Sequence, residues 1–349
     1  MSEPQSLDGP TPVSVLTGFL GSGKTTLLNA LLRDPDMAET AVLVNEFGDV
    51  GIDHLLVETL DDDVVLLNAG CICCTIRNDL VVCLSELFDK RAAGMVPAFR
   101  RVMIETTGLA DPAPILHTLL DHEAVRTRYC VDGVITTVDA VHGFRQIDEH
   151  EECLRQAAVA DRLVLTKTDI AEPGAADALR ARLEAINPGA PIIEVVHGRI
   201  AAARLLDAGV FDLASKNADV EAWLNQAAYA DAHAGHEPDR NRHGDDIEAF
   251  CLEARKPLEM HRFVAWIERL LEAHGEHILR LKGVLDVVGS EVPLVVHGVQ
   301  HIFHPITRLR RWPDGERRSR VVVITRHLPR DVVEESFARV VLQDGGEPC

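Results

Sequence analysis

Two short stretches of this chain carry residue types that do chemistry. The first is Gly18 to Thr25, "GFLGSGKT", with the spacing GxxxxGK[ST]. Set between a strand and a helix, Gly18, Gly21 and Gly23 let backbone N–H groups curl around a β-phosphate, with Ser22 and Thr26 in the same cradle. Lys24 reaches the β and γ oxygens, and the Thr25 hydroxyl is offered to Mg²⁺. A nucleoside triphosphate is the expected ligand. The second stretch is "NAGCICCTIRND", which places Cys71, Cys73 and Cys74 within four residues. Near-adjacent cysteines bridge one another poorly, whereas their thiolates suit Zn²⁺, Cu(I) or Co²⁺. In extended chain Cys71 and Cys73 point to one side and Cys74 to the other, so binding one ion requires a turn, which Gly70 permits. Three ligands leave a position open for exchange, while a closed structural zinc site takes four. Small residues packing after a strand are the bland alternative, and three clustered thiols argue against it.

Further along, "VMIETTGLADP" ends in Glu105-Thr106-Thr107-Gly108 where ordinary GTPases carry DxxG. Glu105 can hold a Mg²⁺-bound water, and the Gly108 amide can sense a γ-phosphate. "LVLTKTDI" ends in Thr166, Lys167, Thr168 and Asp169, close to the guanine-reading NKxD with threonine in the asparagine position. Asp169 would accept both N1–H and N2–H₂ of guanine while the Lys167 stem packs on the base. Between these motifs, "NEFGDVGID" supplies Glu46 and Asp49, carboxylates available to Mg²⁺, to the attacking water or to a transferred metal, or simply solvated.

The elements that must position these residues repeat one pattern. Short β-branched runs, "VSVL", "AVLV", "VVLLN", "VMIE", "GVITTV", "RLVLT" and "PIIEVV", alternate with turns and helix-length stretches. Nearly continuous apolar strands suit a mostly parallel sheet with helices on both faces, an α/β P-loop domain over residues 1–215. Residues 216–246 read as a linker, and within it "ADAHAGHEPDRNRHGDD" holds His233, His236 and His243, a weak metal site if it forms a helical turn and a solvated tether otherwise. Residues 247–349 then read as a smaller α+β domain: the strand "DIEAFCLEAR", an amphipathic helix started by Pro257 and ended near Gly275, further strands, and the helix "PRDVVEESFARVV".

Composition narrows the partners. The 349 residues carry a net charge of −20, which disfavours nucleic acid or an anionic membrane surface as the main partner. The opening "MSEPQSLDGPTP" has no basic or apolar leader and no run approaches a membrane span, so a cytoplasmic address is expected. Cys83, Cys130, Cys153, Cys251 and Cys349 are scattered and read as ordinary thiols.

In order and spacing, "TGFLGSGKTTLLN", "NEFGDVGID", "GCICC", "ETTGLADP" and "TKTD" resemble the CobW-like GTPases, metal-trafficking proteins related to the urease and hydrogenase nickel-insertion GTPases. The resemblance implies GTP/GDP and Mg²⁺ as nucleotide and cofactor. It makes Cys71, Cys73 and Cys74 a site for zinc, or cobalt, destined for a client metalloprotein. It leaves open a cobalt or iron insertion factor, a non-catalytic metal buffer, and a nucleotide- or metal-dependent dimer. The cysteines lie between the two segments that would feel the γ-phosphate, so nucleotide state could reshape the metal site.

Overall fold

The computed structural model describes residues 9–45, 56–59, 64–69, 77–206, 247–303, 306–309, 311–312 and 315–342. The chain divides into two compact units, Met1–Arg180 with Pro191–Phe211 and Ala181–Ala190 with Asp212–Cys349.

The nucleotide-loop part runs β1 (Thr11–Gly18), α1 (Lys24–Leu31), β2 (Thr40–Asn45), β3 (Leu56–Thr59), β4 (Val64–Ala69), α2 (Arg77–Ala92), β5 (Arg101–Glu105), α3 (Ala113–Asp121) and α4 (Glu123–Arg126). It continues through β6 (Tyr129–Asp139), α5 (Gly143–Glu149), α6 (Glu151–Val159), β7 (Arg162–Thr166), α7 (Ala175–Ile186) and β8 (Ile192–Val195). The sheet order is β3-β4-β2-β5-β1-β6-β7-β8. Every neighbouring pair is parallel except β3 with β4. All seven apolar runs became strands. The antiparallel edge strand β3 escaped notice because "LVET" is short and half polar.

β1 lies near the middle of this sheet, and Val13, Val15 and Leu16 are fully buried. Leu27, Leu28 and Leu31 of α1 share a core cluster with Leu16, Val42, Met103, Ile135 and Val164. Their spacing is that of one helix face, and each buried leucine contributes about 1.5–3 kcal/mol. This packing fixes the start of α1 over the end of β1, where the glycine-rich loop must turn.

The second sheet is antiparallel, in the order β12-β11-β10-β14-β9, with β13 on β11. Its elements are β9 (Ile247–Ala254), α8 (Met260–His274), β10 (Ile278–Leu285), β11 (Leu294–Val299), β12 (Ile302–Phe303), β13 (Thr307–Arg308), β14 (Ser319–Arg326) and α9 (Arg330–Phe337). Phe263, Trp266, Ile267 and Leu270 of α8 pack with Phe250, Leu252, Leu281, Val321, Val323 and Phe337. Trp266 meets Phe337 edge to face at 4.9 Å, and its indole N–H donates to Ser336 Oγ at 2.9 Å. Pro257 does not start α8. Leu258 forms a bridge to Val287, its amide donating to Asp286 O at 2.7 Å, so the helix waits until Met260. Among the described residues, no helix is long and apolar enough to cross a membrane.

Candidate functional site

The glycine-rich loop leaves β1 through Gly18 (φ 139°), turns at Gly21 (φ 73°) and enters α1 through Gly23 (φ 92°). These are backbone conformations that a Cβ disfavours. Space forbids one at Gly18 as well, where it would lie 2.3 Å from Thr137 Oγ1. Ser22 is buried, its amide donating to Phe19 O and its hydroxyl paired with Thr137 Oγ1 at 2.6 Å, so the turn is held from inside. Thr25 and Thr26 are exposed.

Lys24 folds back over the loop, its Nζ donating to Gly18 O at 2.8 Å and Phe19 O at 3.1 Å. Burial holds this ammonium below the ordinary lysine range, and the neighbouring Glu105 charge partly offsets that. Thr25 Oγ1 donates to Glu105 Oε1 at 2.7 Å, bringing a hydroxyl and a buried carboxylate together at the head of α1. Two oxygen donors beside a phosphate cradle fit Mg²⁺, a hard cation.

The segment after β5 lies alongside the loop. Thr106 donates through its amide to Leu16 O at 2.9 Å and through its hydroxyl to Thr17 Oγ1 at 2.8 Å. A Cβ on Gly108 would sit 2.5 Å from the Leu20 amide nitrogen. Only glycine allows that approach.

Across the loop, the end of β7 joins the same construction. Thr166 Oγ1 donates to Ser22 O at 2.8 Å, so the threonine in the asparagine position ties the turn after β7 to the phosphate loop. Lys167 is left-handed (φ 58°), and its Nζ meets Asp139 Oδ2 at 2.6 Å. Asp139 is 2% exposed and also accepts from the Val141 amide at 2.8 Å. Asp169 faces His197, Nε2 to Oδ2 3.6 Å, while Gly198 packs so closely on α1 that a Cβ would lie 2.9 Å from Thr26 O. Sequence reasoning missed Asp139, His197 and Gly198. The signals were an acidic residue closing β6 beside β7, and "HG" directly after the β8 run.

The expectation that Asp169 reads guanine can be tested directly. Asp169→Ala should weaken GTP binding by about 1–3 kcal/mol, the scale of charge-assisted hydrogen bonds, with a smaller effect on inosine nucleotide, which lacks the N2 donor. Competition binding measures both, and equal GTP and ATP affinity in the unmutated protein would refute the assignment.

Glu46, Asp49, Cys71, Cys73, Cys74, His233, His236 and His243 lie outside the described residues. The strand ends that precede the first five are described. Asn45 of β2 pairs in register with Ala69 of β4, and Val44 pairs with Glu105 of β5. Both strands therefore stop at the carboxyl end of the sheet, where Glu105 and Gly18 stand. Among the described residues, no group of three or more His, Cys, Asp or Glu is arranged to hold a metal. Burial pushes the Cys83 thiol up to about 11, those of Cys153 and Cys251 to about 12, and that of Cys130 higher still, so these remain protonated packing residues.

Comparison with known proteins completes the picture. Residues 12–194 match the family model for the CobW/HypB/UreG nucleotide-binding domain, and residues 247–341 match that for the cobalamin synthesis protein CobW C-terminal domain. The chain is 36% identical over 329 residues to the zinc chaperone YjiA of Escherichia coli, covering 94% of this chain and 98% of that protein. It is 32% identical over 361 residues to the zinc chaperone CobW of Sinorhizobium sp, covering 94% and 96%. The crystal structure of Zn(II)-bound YjiA GTPase from E. coli matches with a TM-score of 0.71 at 31% identity, covering 95% of this chain and 99% of that one. With a phosphate loop at the head of α1 and both family models matched, the chain belongs to the CobW/YjiA-like family of P-loop GTPase metallochaperones.

Proposed function

We propose that this GTP-hydrolysing enzyme uses its nucleotide state to control the transfer of a transition metal, zinc, from Cys71, Cys73 and Cys74 to a client metalloprotein. The observation that supports this most is the register of β4, β2 and β5. It sets the strand ends preceding the cysteines and the "NEFGDVGID" segment near Glu105, at the carboxyl end of the sheet. Names of full-length relatives, two of them zinc chaperones, favour zinc among the thiophilic metals.

In this reading Lys24 exchanges its two loop carbonyls for the β and γ oxygens of GTP, and the amides opening α1 face the phosphates. Thr25 and Glu105 would hold Mg²⁺, which neutralises charge on the phosphate oxygens when bound. Asp169 and Lys167 hold the base, and the Gly108 amide meets the γ-phosphate. Water attacks the γ-phosphorus, the bond to the bridging oxygen breaks, and GDP and phosphate remain. Glu46 and Asp49, in the segment that follows β2, are the carboxylates proposed to serve metal or water. Three thiolates leave zinc an open coordination position through which a client ligand enters. Residues 1–215 form the nucleotide domain, 247–349 the C-terminal domain, and the histidines at 233, 236 and 243 an accessory, weaker metal site on the linker.

The decisive experiment loads the protein with Zn²⁺ and follows transfer to a chelating acceptor with GDP, with GTP and with a slowly hydrolysed analogue. Transfer rate or metal affinity should differ between GTP and GDP states. Equal affinity and equal transfer in all three would leave a metal buffer instead, and preferential retention of Co²⁺ or Fe²⁺ would reassign the cargo.

A further inference from the structure

We propose that Gln156 is a positioning residue for the segment that meets the γ-phosphate, holding the Gly108 peptide against the phosphate loop in every nucleotide state. The inference rests on the assignment of the Gly108 amide to the γ-phosphate. Gln156 belongs to none of the motifs above. It sits on α6 with 1% of its surface exposed, and its Nε2 donates to Ala110 O at 2.9 Å and to Gly108 O at 3.3 Å. Its own backbone carbonyl accepts from Thr136 Oγ1 at 2.8 Å, anchoring this turn of the helix to β6.

The neighbouring position acts on the same loop. Arg155 Nη1 donates to Asp111 Oδ2 at 3.0 Å, while Asp111 Oδ1 accepts from the Ala113 amide at 2.9 Å where α3 begins. The loop closes on itself through Ala110 N to Thr107 O at 3.1 Å. Gly108 is thus bounded by Leu20 of the phosphate loop on one side and by a buried carboxamide on the other. The head of α6 touches the phosphate loop too, since His150 stacks on Phe19 with ring centroids 4.7 Å apart and planes at 24°. A buried carboxamide bridging two carbonyls cannot lose its acceptors without leaving donors unpaired, so displacement of this loop is disfavoured. The Gly108 segment is a preset sensor, and Gln156 presets it.

Gln156→Met keeps the volume and removes both donors. Affinity for a slowly hydrolysed GTP analogue and kcat should each fall about tenfold, with GDP affinity held within about twofold, because only the γ-phosphate reads the Gly108 amide. A purely structural role would lower GTP-analogue and GDP affinity together. Gly108→Ala, whose Cβ would strike the Leu20 amide, is the parallel variant and should shift the same ratio. If Gly108→Ala shifts the ratio and Gln156→Met does not, the positioning role falls and the γ-phosphate assignment stands. If neither shifts it, the assignment itself has failed and the proposal with it. Amide hydrogen exchange at Ala110 and Ala113, whose amides bond within the loop to Thr107 O and Asp111 Oδ1 rather than to phosphate, gives a reading in the unmutated protein that is independent of either variant's folding. Equal protection of these two amides with GDP and with the analogue is expected, and protection that arises there only with the analogue overturns the proposal.

Discussion

Lys24→Ala abolishes GTP turnover, with kcat lowered by about 10²–10³-fold or more, the cost of removing one preorganised donor from the charge developing in a transition state. The side chain is the buried cation of the loop, and its two carbonyl contacts already place the ammonium where the phosphates arrive. Burial disfavours the charged lysine, the Glu105 charge offsets this only in part, and GTP supplies further negative charge. Alanine removes that match and also takes the ammonium donor from the Gly18 and Phe19 carbonyls, of which Phe19 O keeps the Ser22 amide. The fold should persist, since α1 is pinned by Leu27, Leu28 and Leu31 rather than by Lys24. Phosphate release under saturating GTP, on protein with an unchanged circular dichroism spectrum, is the measurement. Turnover within tenfold of the parent would remove Lys24 from the mechanism.

Changing Cys71, Cys73 and Cys74 together to serine has the second large effect, on metal rather than nucleotide. Serine hydroxyls remain protonated at neutral pH and are hard donors, so the site loses both the charge and the softness that select zinc. The Zn²⁺ dissociation constant should rise by about 10³-fold or more, given that thiolate-rich sites derive most of their binding free energy from these ligands. Basal GTP turnover should stay within about threefold, because Lys24, Thr25, Glu105 and Asp169 are untouched. A competition titration with a chromophoric chelator measures the first and phosphate release the second. Parent-like zinc affinity in folded triple variant would place the metal elsewhere in the chain.

What the sequence made legible follows from what lies close in it. The phosphate loop is a spacing within eight residues, so Gly18, Lys24 and Thr25 could be read directly, and the structure sets them at the end of β1 and the head of α1. Glu105 and Thr166 could be read because each closes a β-branched run, and parallel strands deliver such ends to the carboxyl end of the sheet. Gln156 could not be read, since it reaches a loop 46 residues away from the middle of an amphipathic helix, where glutamine ordinarily faces water. Asp139 was hidden likewise, acting on a lysine 28 residues further on. The start of α8 was misplaced because proline favours a helix's first turn, while the Leu258 bridge to Val287 is a tertiary contact that no local rule contains.

The bond from Thr166 to the Ser22 carbonyl spans 144 residues, and β1 is flanked by β5 and β6, which arrive long after it. A ribosome delivers this chain from its first residue onward. The phosphate loop therefore leaves the exit tunnel before the strands that flank it, and it stays without its neighbours until β7 has followed. Such late, non-local closure is slow, and it leaves an apolar central strand uncovered meanwhile. On the proposed reading, nucleotide competence comes after the cysteines have been synthesised, so Cys71, Cys73 and Cys74 leave the ribosome before any nucleotide could govern them.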